Sequence, residues 1–403
     1  MQSYVVYEKN GEYIARGRVE GDELTRDVHA TAVIQQAMQA LESQGGEIGF
    51  EGGVYEIEAA IHVPANISLR GSGYATVFKQ AQSISDGMIF LVQGQQHVRF
   101  ADFTCQGVPS DAACSGIVLD DSGLCEIRGV YARDLNQYGF WVRNNSFMNR
   151  LVDNMTSGNG RAGTFVDRTQ WSRGGRFIPN KIIGCFSYAD EGHGFEFYRA
   201  ICQDIVGCVA YQMRGHGYYM RDSTSNLISG CRAFMGFQNG ILIENTYEMN
   251  ISSNIIGWNW GHCLELNRCT WATVSANEFI DPGGRREPRY GIYMHGDTKS
   301  VQVTGNAIFA WWDNQIMQGG IHESEECQEN QITDNIVNYY KDEAVFAGGK
   351  VGRADFNLGI REPYTAPGKA PFLPKVKPDE VVLKGNITDP AEIARTLLAS
   401  TRW

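Results

Sequence analysis

The chain has 403 residues, enough to bury a sizeable core, and its 43% apolar and 20% charged content is that of an ordinary globular protein. A net charge of −11 speaks against a nucleic-acid groove, and no run of about 18 apolar residues is present to cross a membrane as a helix. The 46 glycines come with only 11 prolines and no G-X-Y register, which excludes collagen, and the 10 cysteines form no CxxC pair or Cys/His cluster at metal spacing, so no disulfide scaffold, metal or cofactor is expected.

Tyr4 to Val19 reads as a hairpin, two alternating runs around the favoured Asn10-Gly11 turn, and no apolar stretch in this opening marks a secretory leader. A helix follows, with Ala30, Val33, Ile34, Met38 and Leu41 on one face and Gly45-Gly46 as its stop. From Glu47 to Val77 the pattern changes to short strands broken by glycine. Beyond that a repeat emerges. "GHGFEFYRAICQDIVGC", from Gly192, returns as "GHGYYMRDSTSNLISGC", from Gly215, after 23 residues. Glycines opening "G-apolar-x-apolar-x" stretches recur at Gly116, Gly139, Gly163, Gly194, Gly217, Gly240, Gly291 and Gly320, with Cys263 standing in once. A second column runs Asn154, Cys185, Cys208, Cys231, Asn254, Asn277, Asn306, Asn335. Two short strands per unit, too close for crossover helices, predict a solenoid of about ten stacked coils. The residues one and three after each glycine should point inward and stack on their own kind, as Ile241/Ile243 and Leu264/Leu266 would. Asparagine and cysteine in the second column suit inward ladders, the amides bonding to the next coil and the thiols acting as small buried apolar groups.

This layout resembles the pectate-lyase-like right-handed parallel β-helix proteins, over roughly residues 30–345, including the helix before the coil and the "NISLRGSG" stretch. The resemblance implies an all-β, single-stranded right-handed parallel β-helix capped by an N-terminal helix, often trimeric and acting on poly- or oligosaccharides. One rung, "GHCLELNRCTWATVSANEF", resembles that of the inulin fructotransferases and difructose-anhydride hydrolases that carries their catalytic glutamate, which is Glu265 here. Their partner aspartate falls on Ser253, so the resemblance supports glycosidic chemistry in general more than the fructan reaction in particular.

Residues two and four after each glycine should face outward. The first of these columns contains Trp141, Phe165, Glu196, Tyr219, Leu242, Glu265, Tyr293 and His322; the second contains Arg143, Asp167, Tyr198, Arg221, Glu244, Asn267 and His295. Neither column holds a lysine, which a merely solvated face would carry, although stacked polar and aromatic ladders also stabilise coils without any ligand. Three departures from the period, "TQWSRGGRF", "DPGGRREPRY" and "AWWDNQIMQ", place Trp171, Arg173, Arg176, Arg285, Arg286 and Trp311 in loops beside this wall, as on the binding face of a solenoid.

Glu265 and Glu244, one coil and two residues apart, should have Cα atoms about 8 Å apart, within the roughly 5–9.5 Å over which paired carboxylates cleave glycosidic bonds. They are the expected catalytic pair, with Glu196, Tyr198, Tyr219, Arg221, Tyr293, His295, His322, Trp141, Arg143 and Asp167 holding sugar. Elimination or C5-epimerisation of a uronate by Arg221, His295, His322, Tyr219 and Tyr293 is the rival reading, and a non-catalytic glycan-binding trimeric spike is a third. A homotrimer is expected from the resemblance and the aromatic wall. The chain divides into a hairpin (1–28), the coil (29–350) and a Pro/Lys-rich arm with a short helix capped at Asp389-Pro390 (351–403).

Overall fold

The structure, a computed structural model, describes residues 3–360 apart from positions 20, 109–112, 170–178, 284–288, 311–316, 339, 351 and 356. The coil runs past the expected boundary at 350, because Arg353–Asp355 and Leu358–Ile360 add parallel to two of its sheets. The rest of the expected arm with its helix, and the loop residues Trp171, Arg173, Arg176, Arg285, Arg286 and Trp311, lie outside the described residues.

Strands β1 (Ser3–Lys9) and β2 (Glu12–Gly17) form the hairpin, with Asn10 and Gly11 both at positive φ, as a tight two-residue turn requires. β3 (Glu23–Asp27) pairs with β2, and β1 adds parallel to Gly46–Phe50, the first strand of the coil proper. Helix α1 (Ala30–Leu41) buries Ala30, Val33, Ile34, Ala37, Met38 and Leu41 in the core at the start of the coil. Beyond it the chain winds as a right-handed parallel β-helix of about twelve turns, its strands stacked in three parallel sheets.

Each coil contributes three strands rather than two. In one coil these are Ile241–Glu244, Asn250–Ser252 and Ile255–Gly257, each pairing in register with its counterpart one coil on. The extra strand hides in the sequence because one residue, Ser253 at φ 58°, separates the second strand from the ladder residue Asn254 and the third strand, so no turn signature marks the corner. The count of ten coils was low because the coils before Gly116 lack the frame glycine.

Inward positions are as the repeat predicts. Ile241, Ile243, Leu264 and Leu266 are fully buried, each such side chain contributing roughly 1.5–3 kcal/mol. In the second column Asn254 donates Nδ2–H to Asn277 Oδ1 (2.9 Å) and to Ile228 O (3.0 Å), while Asn277 Oδ1 also accepts the Asn254 backbone N–H (3.0 Å). Cys208 and Cys231 sit fully buried in the same column, and burial pushes the Cys208 thiol far up, which suits packing rather than reactivity.

The frame glycine also has its reason. A Cβ on Gly240 would meet Ile256 Cγ2 at 2.1 Å and Asn259 Nδ2 at 2.9 Å, both side chains of the interior. The glycine and the residue after it therefore both face inward, where only one side chain fits. Alternation breaks at this point, and the residue before the glycine is turned outward.

One buried acid departs from the apolar interior. Asp190 is fully buried and accepts hydrogen bonds from Ser187 Oγ–H (2.5 Å), Thr156 Oγ1–H (2.9 Å) and Asn159 N–H and Nδ2–H (both 2.8 Å). Burial, offset in part by these donors, pushes its carboxyl up to about 6. A folded-state pKa above the unfolded value means the protonated form is favoured by folding. The stabilisation is full below about 4 and is lost as pH rises through about 6. Asp190→Asn fits the same donors, because its Oδ1 accepts from Asn159 and its Nδ2–H can donate to the two hydroxyls. Between pH 5 and pH 8 the wild type should lose more thermal stability than the Asp190→Asn variant, by on the order of a few degrees. Parallel melting curves of the two would show that Asp190 is not the titrating group.

Candidate active site

The sheet built from Ile241–Glu244 and its counterparts, called the third sheet here, carries the wall. Its outward residues come into register as Glu196–Tyr219–Leu242–Glu265–Tyr293–His322 and Tyr198–Arg221–Glu244–Asn267–His295. Leu242 is buried, Arg221 is exposed, and the others are partly exposed. Glu265 and Glu244 thus lie one strand and two residues apart, as the spacing predicts.

Glu265 is the most heavily engaged of these groups. Its Oε2 accepts the Asn239 Nδ2–H at 2.6 Å, and its Oε1 lies 2.9 Å from His295 Nε2. Burial pushes this carboxyl up, but the hydrogen bonds from His295 and Asn239 lead the effects that outweigh it and hold Glu265 below the usual range. It therefore stays an anion at neutral pH with 21% of its side chain open to solvent. Glu244 accepts from the Tyr219 hydroxyl at 2.7 Å and from Asn267 Nδ2–H at 3.2 Å. Burial and the Glu244 carboxylate together raise the Tyr219 phenol, so it remains a donor. Beside them a depression of about 290 Å³ is lined by Arg221, Asp222, Glu244, Asn245 and Arg268.

Aromatic faces continue on both sides. Tyr293 stacks on His295 and His262 (both 4.8 Å between centroids), and His322 lies between Tyr290 (4.6 Å) and Phe346 (4.8 Å). Arg221 stands over the Tyr198 ring at 4.4 Å. Glu196 differs from Glu265: burial raises its carboxyl, with Arg221 and Arg161 opposing and Asp167 assisting. Three coils separate it from Glu265, about 14 Å along the wall.

The early coils are different. Asp167 is buried under Arg168, and Arg143 forms two hydrogen bonds with Asp120 (2.8 and 3.0 Å) while covering the Trp141 ring at 4.2 Å. Trp141 packs with Tyr138 and Phe165 in a small apolar cluster that meets the wall at Tyr198. These three expected sugar contacts, Trp141, Arg143 and Asp167, are therefore not brought to the group around Glu265.

One column was overlooked in the sequence. His193, His216, Asn239, His262 and Tyr290 each precede the frame position and each faces the wall. His193 and His216 lie against Tyr219 (4.9 and 5.5 Å), and His262 lies against Tyr293. The signal was present in "GHG", "GHG" and "GHC", at the same period as the glycines. It went unread because strict alternation assigns the residue before a glycine to the interior, and alternation breaks at the glycine.

Residues 115–308 match the family model described as "Right handed beta helix region". No curated protein matches the chain. Among solved structures, the A-module of the Azotobacter vinelandii mannuronan C-5 epimerase AlgE6 is similar at 17% identity, over 82% of this chain and 94% of that one, with a TM-score of 0.71. PfbA, a surface adhesin of Streptococcus pneumoniae, is similar at 11% identity, over 78% and 87%, with a TM-score of 0.60. A tailspike protein mutant of E. coli bacteriophage HK620 in complex with pentasaccharide is similar at 9% identity, over 81% and 76%, with a TM-score of 0.58. Likeness at such identities is a likeness of fold. With the coil geometry above, it makes this chain a right-handed parallel β-helix protein, of a fold that carbohydrate-active proteins use.

Proposed function

We propose that this protein cleaves or transfers glycosidic bonds of a poly- or oligosaccharide laid along the third sheet, with Glu265 and Glu244 as its carboxylate pair. The observation that carries this is the setting of Glu265, an anion held between Asn239 and His295 on an open wall, one coil from a second carboxylate. Glu265 in this state suits the nucleophile or the base that activates water. Glu244 is the proton donor to the leaving oxygen. When protonated it can turn the short contact with Tyr219 around and donate to the phenol oxygen, so the pair stores a proton without breaking the hydrogen bond. Glu196, Tyr198, Arg221, Tyr293, His295 and His322 offer stacking faces and hydroxyl partners for the flanking sugars. The Glu265 rung resembles that of fructan-acting enzymes, but with Ser253 where their partner aspartate stands it supports glycosidic chemistry in general. Trp141, Arg143 and Asp167 would serve only a long substrate reaching the early coils.

The direct test is product analysis over fructans, neutral glycans and uronans. New reducing ends or transferred sugars without an unsaturated-uronate absorbance are expected. That absorbance, or C5 inversion without cleavage, would replace the reading with elimination or epimerisation. We further propose that the protein acts as a homotrimer, supported by the family resemblance and by the aromatic wall. Light scattering at micromolar concentration should give three chains per particle, and a monomer there would remove the trimer.

A further inference from the structure

The column before the frame glycines forms a hydrogen-bonded ladder of its own. The backbone N–H of His216 donates to His193 Nδ1 (3.0 Å), that of Asn239 to His216 Nδ1 (3.1 Å), that of His262 to Asn239 Oδ1 (2.8 Å) and that of Tyr290 to His262 Nδ1 (3.1 Å). An Nδ1 that accepts a backbone N–H must keep its lone pair, so the single proton of each neutral ring sits on Nε2. A second proton would point at the N–H it replaced as a partner. The fold thus fixes both the tautomer and the charge of the three histidines.

Asn239 shows what the column does. Its Oδ1 takes the backbone bond, and its free amide N–H reaches the wall and donates to Glu265. The imidazoles are built the same way, with acceptor toward the coil and donor outward. Successive donors stand about 4.8 Å apart, the spacing of the strands.

We infer that His216, Asn239 and His262 are recognition residues of the site, a fixed row of uncharged N–H donors, and that the glycan they hold is neutral rather than uronic. This inference rests on the glycan reading of the wall. A hydroxyl accepts from an imidazole or amide N–H and donates to Glu265 or Glu244, so a neutral sugar satisfies both sets. A polyuronate brings one carboxylate per ring to a wall whose outward columns hold Glu196, Glu244, Glu265 and Arg221, with Arg161, Arg268 and Arg289 at its edges, so the wall as a whole carries no clear excess of positive charge to draw it. The row of donors adds no charge to pair with those carboxylates, whereas a neutral sugar needs none. The groups facing the histidines agree with a neutral row. Burial and Arg221 lower His193 to about 4, burial and His193 lower His216 to about 3, and burial and Arg289 lower His262 to about 4. Glu265 pulls the last two the other way without prevailing.

Nitrogen-15 spectra of the histidine side chains should show three rings protonated at Nε2 only and unchanged between about pH 5 and 8. A ring among them carrying its proton on Nδ1, or titrating near the ordinary 6.5, would overturn the tautomer lock. Binding is then measured by calorimetry on Glu265→Gln protein, whose turnover is slowed by several orders of magnitude. The uronates, which the wild type should not cleave, are measured on the wild type as well, where the Glu265 charge is kept. The probes are fructo-, gluco- and manno-oligosaccharides against mannuronate and galacturonate oligomers of matched length. At least one neutral probe should bind, and the uronates should bind about tenfold or more weaker. Within that background His262→Asn should stay within a few-fold, since Asn239 proves an amide serves in this column. His262→Phe, which keeps the stacking face and loses both ring nitrogens, should lose about tenfold or more. Preferential binding of uronates with the three rings still neutral would overturn the substrate class and leave the site standing. No binding by any probe would overturn the site reading together with this inference.

Discussion

Glu265→Gln is expected to fold as the wild type does and to lose turnover by several orders of magnitude. The side chain faces out of the coil, and its replacement keeps the shape. Asn239 and His295 both donate to Glu265, so a glutamine must turn its own N–H₂ toward one of them. One lost hydrogen bond at a partly buried position costs about 1 kcal/mol, a shift of a few degrees in melting temperature. The catalytic loss is of another size. Proton transfer by a positioned carboxylate is worth ~10²–10⁴-fold, and an amide can act neither as base nor as nucleophile. Glu244→Gln should be damaged more where the leaving group is poor and less where it departs without a proton. The pH dependence follows from the depressed carboxyl: a group held below its ordinary value of 4.5 stays active as the pH falls through that value, so the acid limb should lie below it. Elimination predicts another order, with His295, Tyr293 or Arg221 replacements worst and Glu265→Gln mild. Near-wild-type turnover by folded Glu265→Gln and Glu244→Gln proteins would end the glycosidic reading.

What could be read from the sequence followed from where side chains are forced to repeat. Ile241 above Leu264, or Asn254 above Asn277, must match because each contacts its own kind one coil away, and such matching survives in a bare string of letters. The same logic located Glu265 and Glu244 on one wall, since alternation along a strand is a steric rule. The third strand of each coil was not legible, because a single left-handed residue such as Ser253 turns the corner without glycine or proline. The histidine column was missed for a related reason. It depends on two consecutive inward positions at Gly194, Gly217 and Gly240, a break in alternation that shows only when the neighbouring sheet's side chains are in place. Nor could spacing separate Glu196 from Glu265. Burial raises the first, whereas the second is lowered by partners drawn from the neighbouring coils.

The largest loss of stability from a single polar substitution is expected at the asparagine ladder. Asn277 accepts from the backbone and side chain of Asn254 (3.0 and 2.9 Å) and donates to Ile251 O (2.9 Å) and Asn306 Oδ1 (2.9 Å), all fully buried. Asn277→Ala removes these four bonds and orphans the Asn254 N–H and one Asn254 amide hydrogen. Each buried group left unpaired costs about 1–3 kcal/mol, so the total should reach about 3–5 kcal/mol. Asn277→Asp should be no better, because it loses the donors and sets a buried charge against Asn306 Oδ1. Cys231→Ala is the control from the same column. Its thiol leans on Ile205 O and Ser229 O at 3.5 and 3.4 Å and meets the Cys208 thiol and the Tyr218 hydroxyl, all weak partners, so losing one sulfur atom from the core should cost about 1 kcal/mol. Since a coil contacts only its neighbours, the damage should also be local at first. Amide exchange in Asn277→Ala should speed up first between Asn254 and Asn306 and spread outward from there. If urea unfolding put Asn277→Ala within about 1 kcal/mol of the wild type, the ladder would be a consequence of coil stacking rather than one of its causes.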